Sequence, residues 1–88
     1  MYKQFEELPK EVQGIFKEQT KHLKPFLLEI IKITKEDIID NYFNYKIYAK
    51  TNVVLYIFKF KFNKNGLYEI TKDSVCKDDI RVFIKLIL

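Results

Sequence analysis

The sequence predicts an α+β fold: N-terminal helices, a three-stranded antiparallel β-meander, and a C-terminal helix packed on one sheet face. Three observations carry this. Apolar residues at Leu8, Val12, Ile15, Phe16, Leu23, Phe26, Leu27, Ile30 and Ile33 follow the spacing of one helical face. From Tyr42 to Lys72 the period changes to two, as in half-buried strands. Asp73 or Ser74 then precedes Asp78 and Asp79, with Cys76, Ile80, Phe83, Ile84 and Ile87 on one side, the form of a capped amphipathic helix.

In chain order, Pro9 suits a first helical position, where a missing N–H costs nothing. Pro25 would remove a hydrogen bond inside a helix and clash with the preceding turn, so a break is expected near Lys24. The stretch 26–33 reads as either helix or buried strand, because a short apolar run does not separate the two periods. Thr34-Lys35-Glu36-Asp37 ahead of Ile38 and Ile39 predicts a short helix at 35–41. There Thr34 would accept from a backbone N–H and the acids would face the positive end of the dipole.

The first strand puts Phe43, Tyr45, Ile47 and Ala49 on one side and Tyr42, Asn44, Lys46 and Tyr48 on the other. The second sets Val54, Tyr56, Phe58, Phe60 and Phe62 against Val53, Leu55, Ile57, Lys59 and Lys61. The third runs from Leu67 to Lys72. A two-residue Asn65-Gly66 loop would oppose Phe62 to Glu69 and Lys61 to Ile70, mixing charge with core on both faces. A three-residue loop with Gly66 in the left-handed region instead opposes Phe62 to Tyr68, Phe60 to Ile70 and Lys61 to Glu69. Phe58, Phe60, Tyr68 and Ile70 are thereby expected to form a core with Phe16, Phe26 and Phe83.

The 88 residues suit one domain, 1–88, since a chain this short buries only about 60% of its unfolded surface and does not divide into two cores. Apolar residues at 48% and charged residues at 32% supply a core and argue against disorder. Eight Phe and six Tyr make that core ring-rich. Fifteen Lys against the single Arg81, with abundant Ile and Asn, is the bias of an AT-rich coding sequence, as in a low-GC bacterium or its phage. The formal charge of +4 is mild and interleaved, which permits nucleic-acid binding without indicating it. The lone Cys76 has no intramolecular disulfide partner, and the first residues are too polar for a signal peptide. The longest apolar run, Val53 to Phe58, falls far short of the ~20 residues of a membrane helix. A cytoplasmic protein with no membrane partner is expected.

Chemistry-bearing residues are few. His22 with Cys76 as nucleophile is the one available imidazole–thiol pair, and neither sits in a motif or has an orienting third group. One Cys and one His fall short of a zinc ligand set. The carboxylates Glu36, Asp37 and Asp40, and again Asp73, Asp78 and Asp79, lie at expected helix starts, where the dipole accounts for them. Gly14 and Gly66 belong to no phosphate-binding loop. No catalytic residue, metal or cofactor is expected.

The second sheet face is the informative surface. It carries Tyr42, Asn44, Lys46 and Tyr48, then Leu55, Ile57, Lys59 and Lys61, and from the third strand Glu69 and Thr71. Its turn-proximal end is basic and its other end apolar. The expected function is non-enzymatic docking on a protein or nucleoprotein partner, blocking or modulating it. In character this suits a phage or mobile-element inhibitor, of which anti-CRISPR proteins are one kind, although no family motif is present. The alternatives are a single-stranded nucleic-acid module that stacks bases on Tyr42 and Tyr48 beside Lys46, Lys59 and Lys61, and a homodimeric structural protein. The near absence of Arg counts against the first alternative.

Overall fold

The computed structural model describes residues 3–76. A 3-10 turn, Lys3–Glu7, leads to Pro9, whose φ of −53° and ψ of 142° give an extended entry to helix α1, Lys10–Thr20. Pro9 thus stands one position before the helix. The break comes slightly earlier than expected, at Lys21, where the chain tightens into a 3-10 segment, Lys21–Phe26. Pro25 would have had to donate to the carbonyl of Lys21, and ending α1 at Thr20 removes that demand. Leu27, with φ of 54°, then turns the chain into the sheet.

Four strands follow: β1 Glu29–Ile39, β2 Tyr42–Lys50, β3 Val54–Asn63 and β4 Gly66–Cys76. They form one antiparallel meander in the order β1-β2-β3-β4. Among the described residues the fold is therefore α+β with one α-helix and a four-stranded sheet, where three strands were expected. The additional strand is β1. It takes in the end of the ambiguous stretch 26–33 and overturns the helix expected at 35–41. Lys35 pairs with Tyr45, Glu36 with Asn44 and Asp37 with Phe43, so Thr34 is a strand residue and caps nothing. Continuous pairing with β2 outweighs a local capping signal.

The third predicted strand is also longer than expected. β4 continues through Asp73 and Ser74 to Cys76, pairing Ile57 with Asp73 and Val54 with Cys76, so neither Asp73 nor Ser74 starts a helix. The remainder of the expected C-terminal helix, including Asp78, Asp79, Ile80, Phe83, Ile84 and Ile87, lies outside the described residues. The hairpin register agrees with the pattern argument at Phe60–Ile70 and Lys61–Glu69. At its end Phe62 faces Leu67 and Asn63 faces Gly66, so the loop holds two residues, Lys64 and Asn65, where three were expected, and Tyr68, expected opposite Phe62, is the extra residue of a bulge. Gly66 has φ of 117°, and the Asn63 side-chain oxygen accepts from the Asn65 N–H at 2.8 Å.

The core lies between α1 and one sheet face. Phe5, Leu8, Val12 and Phe16 pack on Ile47, Ala49, Phe58, Phe60 and Phe62, with Ile30 and Ile33 partly buried beside them. Each such side chain contributes about 1.5–3 kcal/mol on full burial. Tyr68 and Ile70, expected in the core, are 53% and 39% exposed. They belong to an outer strand, and the bulge at Tyr68 re-aims that ring. Phe83 and the side chain of Phe26 lie outside the described residues. Gln13, buried on α1, donates to the Leu8 carbonyl at 2.8 Å and the Glu6 carbonyl at 3.2 Å, tying the N-terminal turn to the helix.

Candidate functional site

The pairing register arranges the second sheet face in rows that cross all four strands. One row is Glu36, Asn44, Lys61 and Glu69; the next is Thr34, Lys46, Lys59 and Thr71. Then come Lys32, Tyr48, Ile57 and Asp73, and last Glu29, Lys50, Leu55 and Val75. The eight residues singled out from the sequence do share one face. They are not equally accessible. Leu55 is wholly buried and Asn44 is 6% exposed, so both are closed to a partner. Lys46, Tyr48, Ile57, Lys59 and Lys61 are half-buried, and Tyr42 is exposed.

Only one row of this face carries an excess of positive charge. Lys61 pairs with Glu69 at 3.1 Å and Lys50 with Glu29 at 3.6 Å. Lys32 has a partner of its own. On the opposite face, Lys35 sits 4.7 Å over the Phe43 ring and 3.6 Å from Asp37, and Lys72 lies 5.9 Å from the Tyr56 centroid. Of the lysines in the described strands, only Lys46 and Lys59 engage no carboxylate, acceptor or ring, and they face each other. Cross-strand like charges destabilise a sheet, so this row is locally unfavourable unless an anion joins it.

At the end of the face the β1–β2 hairpin turns through Asp40 and Asn41, with Asn41 at φ of 63°, a conformation Asn tolerates well. Its tip exposes Ile38 at 54%, Ile39 at 67% and Tyr42 at 37%. The sequence pattern places Ile38, Ile39 and Thr34 in or at a helix and so does not bring them to this face. The signal that would have found them is the register with Tyr42 and Lys46, which becomes visible only once β1 is recognised as a strand.

The other candidates separate. Asp37 opposes Phe43 on the core side while Glu36 opposes Asn44 on the second face, so these neighbouring acids point to opposite sides of the sheet. The dipole reading of both falls with the helix. His22 is exposed in the 3-10 segment, and Cys76 ends β4 opposite Val54. Among the described residues no three His, Cys, Asp or Glu side chains gather as a metal site, and no helix is long and apolar enough to cross a membrane. A concavity of about 760 Å³ beside α1, lined in part by Gly14, Lys17, Lys21, Leu27 and Leu28, has its cations engaged: Lys17 over the Phe5 ring and Lys21 with Glu18.

The geometry describes a sheet face with one uncompensated lysine row beside an apolar hairpin tip. No protein-family model matches the chain, and neither the curated proteins nor the solved structures contain a match to it.

Proposed function

We propose that this protein is a non-enzymatic binding module that docks on a protein or nucleoprotein partner through the second sheet face and the adjoining hairpin tip, blocking or modulating that partner. The observation that carries the reading is the uncompensated Lys46–Lys59 pair. Beside it, Tyr42, Ile38 and Ile39 supply exposed apolar anchors of the kind that dominate protein contacts. The lysine row steers association and the tip slows dissociation. Small size and AT-rich residue usage suit a cytoplasmic inhibitor carried by a phage or mobile element, in the manner of an anti-CRISPR.

The second reading is a single-stranded nucleic-acid module, favoured by the placement of Tyr42 and Tyr48 on the same strand face as Lys46. Affinity capture from a low-GC bacterial lysate separates the two. The bait is used as wild type and as K46E/K59E, with and without nuclease. A protein retained after nuclease treatment and lost with K46E/K59E supports docking through this face. Material retained only as nucleic acid overturns it in favour of the second reading.

A further inference from the structure

We infer that the anion which completes the Thr34–Lys46–Lys59–Thr71 row is a compact pair of carboxylates on an acidic protein segment, an inference that rests on the docking role proposed above. The two ammonium groups come from side chains directly opposed in the β2–β3 register, with a threonine hydroxyl at each end of the row. All four residues are half-buried. An anion held there is partly shielded from water, which strengthens its attraction to the lysines relative to a fully solvated pair.

The neighbouring rows decide the kind of anion. On one side stands the row Glu36, Asn44, Lys61 and Glu69, with Lys61 already paired to Glu69; on the other stands Lys32, Tyr48, Ile57 and Asp73, in which Lys32 has its own interaction. Rows follow one another at about 6.5–7 Å along a strand, twice the rise per residue. A polyanion running along β2 and β3 would pass from the lysine pair to Asn44 and the Glu69-paired Lys61 on one side, or to Tyr48 and Ile57 on the other, and would meet no further uncompensated cation. One running across them would meet two cations and then only hydroxyls. Neither path offers the planar bidentate donors that Arg gives to phosphates. Two adjacent carboxylates, by contrast, satisfy both ammonium groups and need no cation from the rows on either side. Glu36 then acts against any longer run of negative charge, which is how a surface discriminates between partners.

The test is an NMR titration of the full ¹⁵N-labelled chain at low salt with two probes, a hexaglutamate peptide and an oligothymidylate. Saturable shifts at Thr34, Lys46, Lys59 and Thr71 are expected with hexaglutamate. Affinity should fall about tenfold or more in K46A/K59A and less than about twofold in K50A, whose lysine already has Glu29. An unchanged dispersion of amide signals shows that the variants remain folded. Equal binding by K46A/K59A, or tighter binding of oligothymidylate than of hexaglutamate, overturns the inference. The docking role fails separately: it falls when a captured partner stays bound to K46E/K59E. If that partner is released but hexaglutamate never binds the wild type, docking stands and the acidic segment does not.

Discussion

Phe16 meets the ring of Phe58 edge-on, with centroids 5.1 Å apart and planes at 79°, and so fastens α1 to the middle of the sheet. Phe5 packs behind Phe16 at 5.4 Å with the planes tilted by 56°, and Phe58 is 1% exposed. Phe58→Ala would remove one member of this chain of rings and leave a cavity that the strands on either side cannot close. The expected cost is about 3–5 kcal/mol, with a similar cost for Phe60→Ala. Tyr68→Ala, on the bulged outer strand, should cost less than about 1 kcal/mol. Urea denaturation midpoints decide it, and a Tyr68 variant as unstable as the Phe58 variant would place the core on the wrong strand.

Gln13 does for the N-terminal turn what Phe16 does for the helix. Its amide nitrogen holds two carbonyls, at Leu8 and Glu6, from a buried position. Gln13→Leu keeps the volume and removes both donors, leaving the Leu8 carbonyl without this partner. A loss of about 1–3 kcal/mol is expected, together with faster amide exchange over residues 5–8. Unchanged exchange there would mean that the turn is held by Phe5 and Leu8 packing alone.

The parts of the fold legible in the sequence are those where period, turn chemistry and pairing agree. The alternation of β2 and β3 and the position of the turn before Leu67 are of this kind, although the loop is one residue shorter than expected. β1 was hidden by its own geometry. The register shifts between Ile30 and Lys32, so Ile31 is an extra residue and Ile30 and Ile33 both reach the core. A bulge thus converts strand spacing into the three-residue spacing of a helix. A second shift between Asp37 and Ile39 hides the hairpin tip in the same way. At Asp73 the difference between sequence and structure has another cause. Asp73 and Ser74 carry a local capping signal in the sequence, but β3 extends back to Val54 and demands a partner of matching length. The candidate face was legible as a face because parity alone assigns it. Its burial was not, since the exclusion of Leu55 and Asn44 from solvent depends on packing.

Gly66 occupies φ of 117°, and nothing lies within 4 Å of the position a Cβ would take. Space is therefore no obstacle to a side chain there, and the backbone conformation is. Gly66→Val should destabilise the β3–β4 hairpin by about 1–3 kcal/mol, with Gly66→Asn less affected because Asn tolerates positive φ better. Equal stability of the Val variant and the parent would show that the hairpin turns through a different loop in solution.

The opposed lysines make a prediction of opposite sign for the isolated protein and for its complex. In the free chain Lys46 and Lys59 repel, and salt at 0.1 M, with a screening length of about 10 Å, weakens that repulsion. Lys59→Glu replaces it with a cross-strand ion pair of the kind worth about 0.2–1 kcal/mol, so the variant should unfold at higher urea than the parent at low salt. The difference should shrink as salt is added. Binding should move the other way, because the variant removes half of the cationic pair that attracts an acidic partner. Association with that partner should be slowed and its salt dependence flattened, while dissociation changes mainly with Ile39→Ala or Tyr42→Ala at the tip. A nucleic-acid partner would show a different signature, a steep linear fall of log affinity with log salt that persists until several phosphate contacts are lost. Stopped-flow association at several salt concentrations distinguishes these outcomes. A Lys59→Glu protein that is less stable than the parent at low salt would mean that Lys59 is held by an interaction other than the one its register provides.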